Sequence, residues 1–218
     1  MSYTIKINIF VKPQKWFDIA KKKFDLGKVI DALLKINASI DLKFGRAISS
    51  FTPYRDVTGS LEEIKEIILR EGGSIPFVYS GLYFDLMYLL PSHSHYPLPF
   101  INVTCDRASL RNNLKNVNNF IAVSKCIWNA LGHEKIFGIA DIETGLEGVL
   151  DALKEKKELN QSGLKLKYPL GSFINFYNDE LVKKIGFDKI SADKNYSVEK
   201  VDGGVMTYSR KIPYFLER

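Results

Sequence analysis

Residues Asn116–Gly145 read NVNNFIAVSKCIWNALGHEKIFGIADIETG, and the way this stretch divides decides the fold. Phe120, Ile121, Val123, Ser124, Ile127, Trp128 and Leu131 recur with a helical period. They predict an amphipathic helix from about Asn118 to Leu131. Gly132 stands where such a helix ends, because glycine enters the left-handed region without a Cβ penalty. Ile136–Ile142 follows as a short apolar run, which reads as a buried strand. Two carboxylates, Asp141 and Glu143, mark its exit.

A buried strand needs neighbours, and the flanking sequence supplies them. Residues Tyr3–Val11 alternate, with Tyr3, Ile5, Ile7 and Ile9 opposite Thr4, Lys6, Asn8 and Phe10, and Pro13 closes the strand. Ser74–Leu90 is strand-forming, split or bent at Gly81. Phe100–Cys105 alternates, with Phe100, Asn102 and Thr104 on one side. Gly171–Tyr177 is a further short strand. Val198–Val201 and Val205–Tyr208 flank Asp202-Gly203-Gly204, a hairpin signal. Asp41–Ser50 is expected as a second strand with Leu42, Phe44, Ala47 and Ile48 inward.

Helices are predicted over Gln14–Ile36, with Gly27 in the middle, from Ser60 to the Gly72-Gly73 stop, over Gly145–Glu158 and over Asn178–Gly186. Ser60 and Glu63 have the spacing of a capping box. Asp106–Lys115 is polar and reads as a loop. Strands come in adjacent pairs without strict βα alternation. The expected class is α+β: a mainly antiparallel twisted sheet with helices packed mostly on one face. Residues 1–218 are read as a single α+β domain, with two α/β halves meeting near 106–115 as the other division.

Composition narrows the classes further. The chain has 218 residues, enough for a large core without staples. No window approaches 18 apolar residues, so no spanning helix and no membrane partner are expected. The N-terminus is broken by Lys and reads as a strand, not a leader, which gives a cytoplasmic expectation. The two cysteines, Cys105 and Cys126, fall on different elements and read as buried thiols. Net charge is +6 but uneven. Residues 51–110 carry seven acids against four bases, whereas residues 1–50 carry ten bases against four acids. The basic excess centres on Lys21–Lys23, which reads as a solvated helix face. A nucleic-acid surface is the other reading, and nucleic acid is not the expected partner because no aromatic-interleaved basic motif follows.

Few residue groups point to chemistry. His93 and His95 in PSHSHYP form an H-x-H pair, two ligands of the commonest metal-binding side chain, with only Asp85 or Asp106 in view to complete a set. Asp141 and Glu143 share a face by alternation, with His133 on the preceding turn; they suit acid–base or metal work, or equally the cap of the next helix. No phosphate loop, dinucleotide fingerprint or nucleophile elbow is present. No cofactor is expected. Tyrosines on strands and loop tips, by contrast, suit a recognition surface as well as a core.

Four passages resemble bacterial immunity protein family 52, small proteins that neutralise polymorphic toxins. They are the helix-turn-strand Cys126–Gly138 (CIWNALGHEKIFG), the Phe100–Cys105 strand with its Asn-rich sequel, Pro169–Tyr177 (PLGSFINFY), and the Val198–Tyr208 hairpin with Asp202-Gly203-Gly204-Val205. They span roughly the C-terminal half. Where the family has Asp-Pro before its strand, this chain has Leu131-Gly132. The resemblance implies a non-enzymatic binding protein with a cognate toxin as partner. The candidate contact residues are Asp85, His93, His95, Tyr96, Asp106, Arg107 and Arg111. The alternatives are a metal-dependent hydrolase or nuclease-like enzyme using Asp141, Glu143 and the His93/His95 loop, and a nucleic-acid-binding accessory protein using Lys21–Lys23.

Overall fold

A computed structural model describes residues 4–11, 26–43, 45–90, 99–111, 113–141 and 173–210. The strands are β1 (Thr4–Val11), β2 (Ser39–Ile40), β3 (Ser49–Phe51), β4 (Tyr54–Asp56), β5 (Gly73–Tyr79), β6 (Leu82–Leu89), β7 (Phe100–Asp106), β8 (Lys135–Asp141), β9 (Ile174–Asn178), β10 (Tyr196–Val201) and β11 (Gly204–Ser209). The helices are α1 (Leu26–Lys35), α2 (Leu61–Glu71), α3 (Arg107–Leu110), α4 (Leu114–Ala130), α5 (Asp179–Ile185) and α6 (Phe187–Ser191). The fold is α+β. The strands join one sheet in the order β10-β11-β9-β8-β1-β7-β6-β5-β3-β4, with β2 also beside β5. Each strand pairing is antiparallel. β1 sits between β7 and β8, so the sheet runs without a break from one half of the sequence to the other.

The opening stretch behaves as its pattern dictates, with shifted ends. The helix α4 begins at Leu114, four residues before the expected start. Asn113 caps it by accepting the Asn116 N–H at 3.1 Å. Gly132 has φ +56° and turns the chain through a 3-10 turn, Gly132–Glu134, into β8. The expected loop 106–115 contains α3, which Asp106 starts by accepting the Ala108 N–H at 3.1 Å. The capping box of α2 is present: the Ser60 N–H donates to Glu63 Oε2 at 2.8 Å and the Glu63 N–H to Ser60 Oγ at 3.4 Å. Of the expected first helix, α1 lies within the described residues, and 12–25 and the expected helix 145–158 lie outside them.

Two clusters of buried side chains lie on the two faces of the sheet. Ile5, Ile7 and Ile9 of β1, Ile101 and Val103 of β7, Leu82, Phe84 and Leu86 of β6 and Phe176 of β9 face α1, α2 and α4. Here Leu26, Val29, Ile30 and Leu33 of α1 follow the i, i+3, i+4, i+7 rule. Trp128 of α4 is completely buried and stacks on Phe176 at 4.9 Å between ring centroids. On the other face a row of large side chains crosses five strands: Leu89, Phe100, Phe10, Phe137 and Tyr177. The helix α5 packs on it through Leu181, Val182 and Ile185. Helices therefore gather mostly, and not wholly, on one face.

One expected strand is absent. Asp41–Ser50 does not run as a strand; β2 ends at Ile40 and β3 starts at Ser49, and both lie along the same edge of β5. Pro76 of β5 is the reason. Its carbonyl accepts the Asp41 N–H at 3.0 Å, but proline has no N–H to return. The chain leaves the ladder there and rejoins it at Ser49 opposite Ser74. Leu42, expected inward, is 57% exposed.

Candidate interaction surface

That excursion carries Arg46 onto the sheet. The Arg46 guanidinium donates to Asp85 Oδ1 at 2.8 Å and to the Phe84 carbonyl at 2.8 Å. Its other terminal nitrogen reaches the Phe77 carbonyl at 3.4 Å and Asp41 Oδ2 at 3.5 Å. The same group lies 5.8 Å from the centroid of the Tyr83 ring. Asp41 is buried, at 6% exposure, and anchors the arrangement from below, while Asp85 is partly open to solvent. Tyr83 is 47% exposed. Arg46 is thus held in one geometry beside the exposed Tyr83 ring, and Leu42, next in sequence to Asp41, is exposed as well. Arginine loses much side-chain entropy when it is fixed on binding, and here the ion pairs have already fixed it.

The polar part of this face continues inward. Asp85 is the cross-strand partner of Thr104, and Thr104 of Lys6. Asn102 Nδ2 donates to Asn8 Oδ1 at 2.6 Å, and the Thr104 hydroxyl donates to Asn102 Oδ1. Asn8, Asn102 and Thr104 are all buried, which is tolerable only because they satisfy one another.

The sequence candidates scatter over the fold. Asp106 shares a side of β7 with Thr104, so it is a diagonal neighbour of Asp85, roughly 7–8 Å away by sheet geometry. Arg107 is half-buried and Arg111 exposed on α3 directly after it. His93, His95 and Tyr96 lie outside the described residues, in the segment joining β6 to β7. The ends it joins meet where Leu89 pairs with Phe100, six residues and about 20 Å along β7 from Asp106. The Asp141 backbone ends β8 opposite Lys6, its side chain is not described, and Glu143 lies outside the described residues. His133 stands on the turn before β8, about 20 Å from Asp141 along the strand. His133 and Asp141 are thus not brought together. Among the described residues no group of three or more His, Cys, Asp or Glu is placed to hold a metal ion.

One chemically notable group, Lys135, carries no signal in the sequence. Lys135 is 3% exposed, and its ammonium donates to the Trp128 carbonyl at 3.3 Å, to the Asp202 carbonyl and to Asp202 Oδ2 at 3.1 Å, 5.0 Å from the Trp128 ring centroid. Burial pulls its pKa below the ordinary lysine value, against Asp202 and Asp179, which raise it. Its bonds tie the β10–β11 turn to the end of α4, a positioning task.

The thiols are unsuited to nucleophilic work. Both are free, and burial, with Asp106 adding to it, pushes Cys105 up to about 12. Burial also raises Cys126. At pH 8 the Cys105 thiolate is then on the order of one part in ten thousand. A disulfide-exchange reagent will label Cys105 in denaturant and not in the native protein, and fast native labelling of it would contradict this burial.

No family model matches the chain, and no curated protein matches it. Among solved structures, a Pseudomonas aeruginosa T6SS protein is similar over 99% of this chain and 74% of that chain, at 12% identity and a TM-score of 0.48. Likeness at that level carries no functional argument.

Proposed function

We propose that this chain is a non-enzymatic binding protein that neutralises a toxin protein by direct contact through the Arg46–Tyr83–Leu42 surface. The observation that carries the reading is the fixed Arg46 guanidinium, bonded to Asp85 and two carbonyls with Tyr83 beside it. Arginine and tyrosine dominate binding energy at protein interfaces when they are held in place, and the ordering cost is already met here. The toxin as partner rests on the resemblance of the C-terminal half to immunity protein family 52. Asp106, Arg107 and Arg111 extend the contact from the adjoining end of β7 and α3.

Co-expression with a toxin encoded beside the gene tests the reading. The expected result is growth rescue and a complex that survives purification. Tyr83→Ala combined with Leu42→Ser, two exposed positions whose change spares the core, should abolish rescue while far-UV circular dichroism stays unchanged. Rescue that is indifferent to both changes would remove the surface from the account.

A further inference from the structure

At the far end of the sheet, five strands from Arg46, a cleft of about 360 Å³ opens between α5, α6 and the β10–β11 hairpin. Its apolar side chains are Val182, Val205 and Phe187, and the Phe187 ring is 41% exposed. Two opposite charges stand in the same lining. Asp179 begins α5, held there by its N–H, which donates to the Gly203 carbonyl at 3.0 Å. Lys200 of β10 lines the same cleft, with Nζ 6.0 Å from the Phe187 ring centroid. Among the described residues neither Asp179 nor Lys200 forms an ion pair, although both line one small space; the cation that acts on Asp179 from the other side is the buried Lys135, whose own ion pair is with Asp202.

The cleft is at the small end of the range for ligand sites, which suits one compact molecule and not a nucleotide. A carboxylate without an amine would meet Asp179, and an amine without a carboxylate would meet Lys200. A neutral apolar molecule would cover both charges and compensate neither. We infer that the cleft binds a zwitterionic amino acid with an aliphatic or aromatic side chain. Its ammonium pairs with Asp179, its carboxylate with Lys200, and its side chain lies against Val182, Phe187 and Val205. This site is independent of the toxin-binding surface.

Methyl-resolved NMR titration with leucine and with phenylalanine tests it. The expected result is a saturable shift of the Val182 and Val205 methyls at millimolar ligand, with the Val201 methyls, on the other face of the sheet, shifting less. N-acetyl-leucine, which lacks the cation, and leucinamide, which lacks the carboxylate, should each bind about tenfold more weakly or worse, the loss of one paired charge. Lys200→Met and Asp179→Asn should each reproduce that loss. No shift with either amino acid at about 20 mM would overturn the inference, because millimolar binding would be near saturation there. Equal binding of the blocked ligands would overturn it too, and that comparison needs no variant to fold.

Discussion

Trp128→Ala will destabilise the protein by about 3–5 kcal/mol, the largest effect expected of a single truncation here. Three contacts are lost together. The indole is completely buried and stacks on Phe176. Its Nε1 donates to the Asp202 carbonyl at 3.1 Å. The Lys135 ammonium sits over its ring, so truncation leaves that buried charge facing a cavity. The hydrogen bond to Asp202 spans 74 residues and joins α4 to the β10–β11 turn. The loss should therefore be felt at the hairpin as well as in the core. For a chain of this size the melting temperature falls by roughly 10 °C. Thermal unfolding followed by circular dichroism checks it, and a fall of a degree or two would mean that the site collapses around the gap.

Gly204→Ala will cost about 3 kcal/mol or more, the upper end of overpacking. A Cβ on Gly204 would lie 2.0 Å from the Tyr177 carbonyl oxygen and 3.0 Å from the Asn178 Cα. Both are backbone atoms of β9, and Gly204 pairs with Asn178 in the ladder, so neither strand can yield without losing its hydrogen bonds. Gly203→Ala is the informative contrast. Gly203 has φ +60°, which penalises a side chain by about 1–2 kcal/mol, but its Cβ would meet only the Lys135 side chain, at 3.2 Å, and no backbone atom. The expected order is Gly204→Ala worse than Gly203→Ala in denaturant unfolding. The reverse order would show that turn conformation, and not close strand approach, governs this hairpin.

That pair of glycines shows what the sequence reveals and what it hides. Asp202-Gly203-Gly204 predicts a hairpin, and β10 and β11 form one. The sequence assigns both glycines to turn conformation, yet Gly204 is required by the neighbouring strand β9. Local signals carry the fold in the same way elsewhere. The Ser60–Glu63 box, the Gly132 stop and the Ile5, Ile7, Ile9 alternation all depend on residues a few positions apart, and all are found.

What was hidden depends on distant residues. The break in the expected Asp41–Ser50 strand is caused by Pro76, some thirty residues on, and periodicity within 41–50 contains no trace of it. Asn102 finds Asn8 across 94 residues, so neither asparagine looked special in its own strand. Asp85 alternates with the buried Phe84 and Leu86 and is partly open to solvent. Its partner Arg46, which makes it part of a surface, became visible only once the excursion was placed. Asp179 and Lys200 belong to a short helix and an edge strand, and only the sheet order brings them to one cleft.

Tyr83, Leu42 and Arg46 are proposed as the contact surface for a partner protein. Isothermal titration of the purified partner against Tyr83→Ala, with Tyr54→Ala as the control, tests it most directly. Tyr54 is the more exposed of the two, at 78% against 47%, and stands on β4 at the sheet edge away from Arg46. The account predicts that Tyr83→Ala weakens the complex by about 2 kcal/mol, roughly thirtyfold in Kd, and that Tyr54→Ala leaves it unchanged. Equal affinities for wild type and Tyr83→Ala, or a loss confined to Tyr54→Ala, would contradict it.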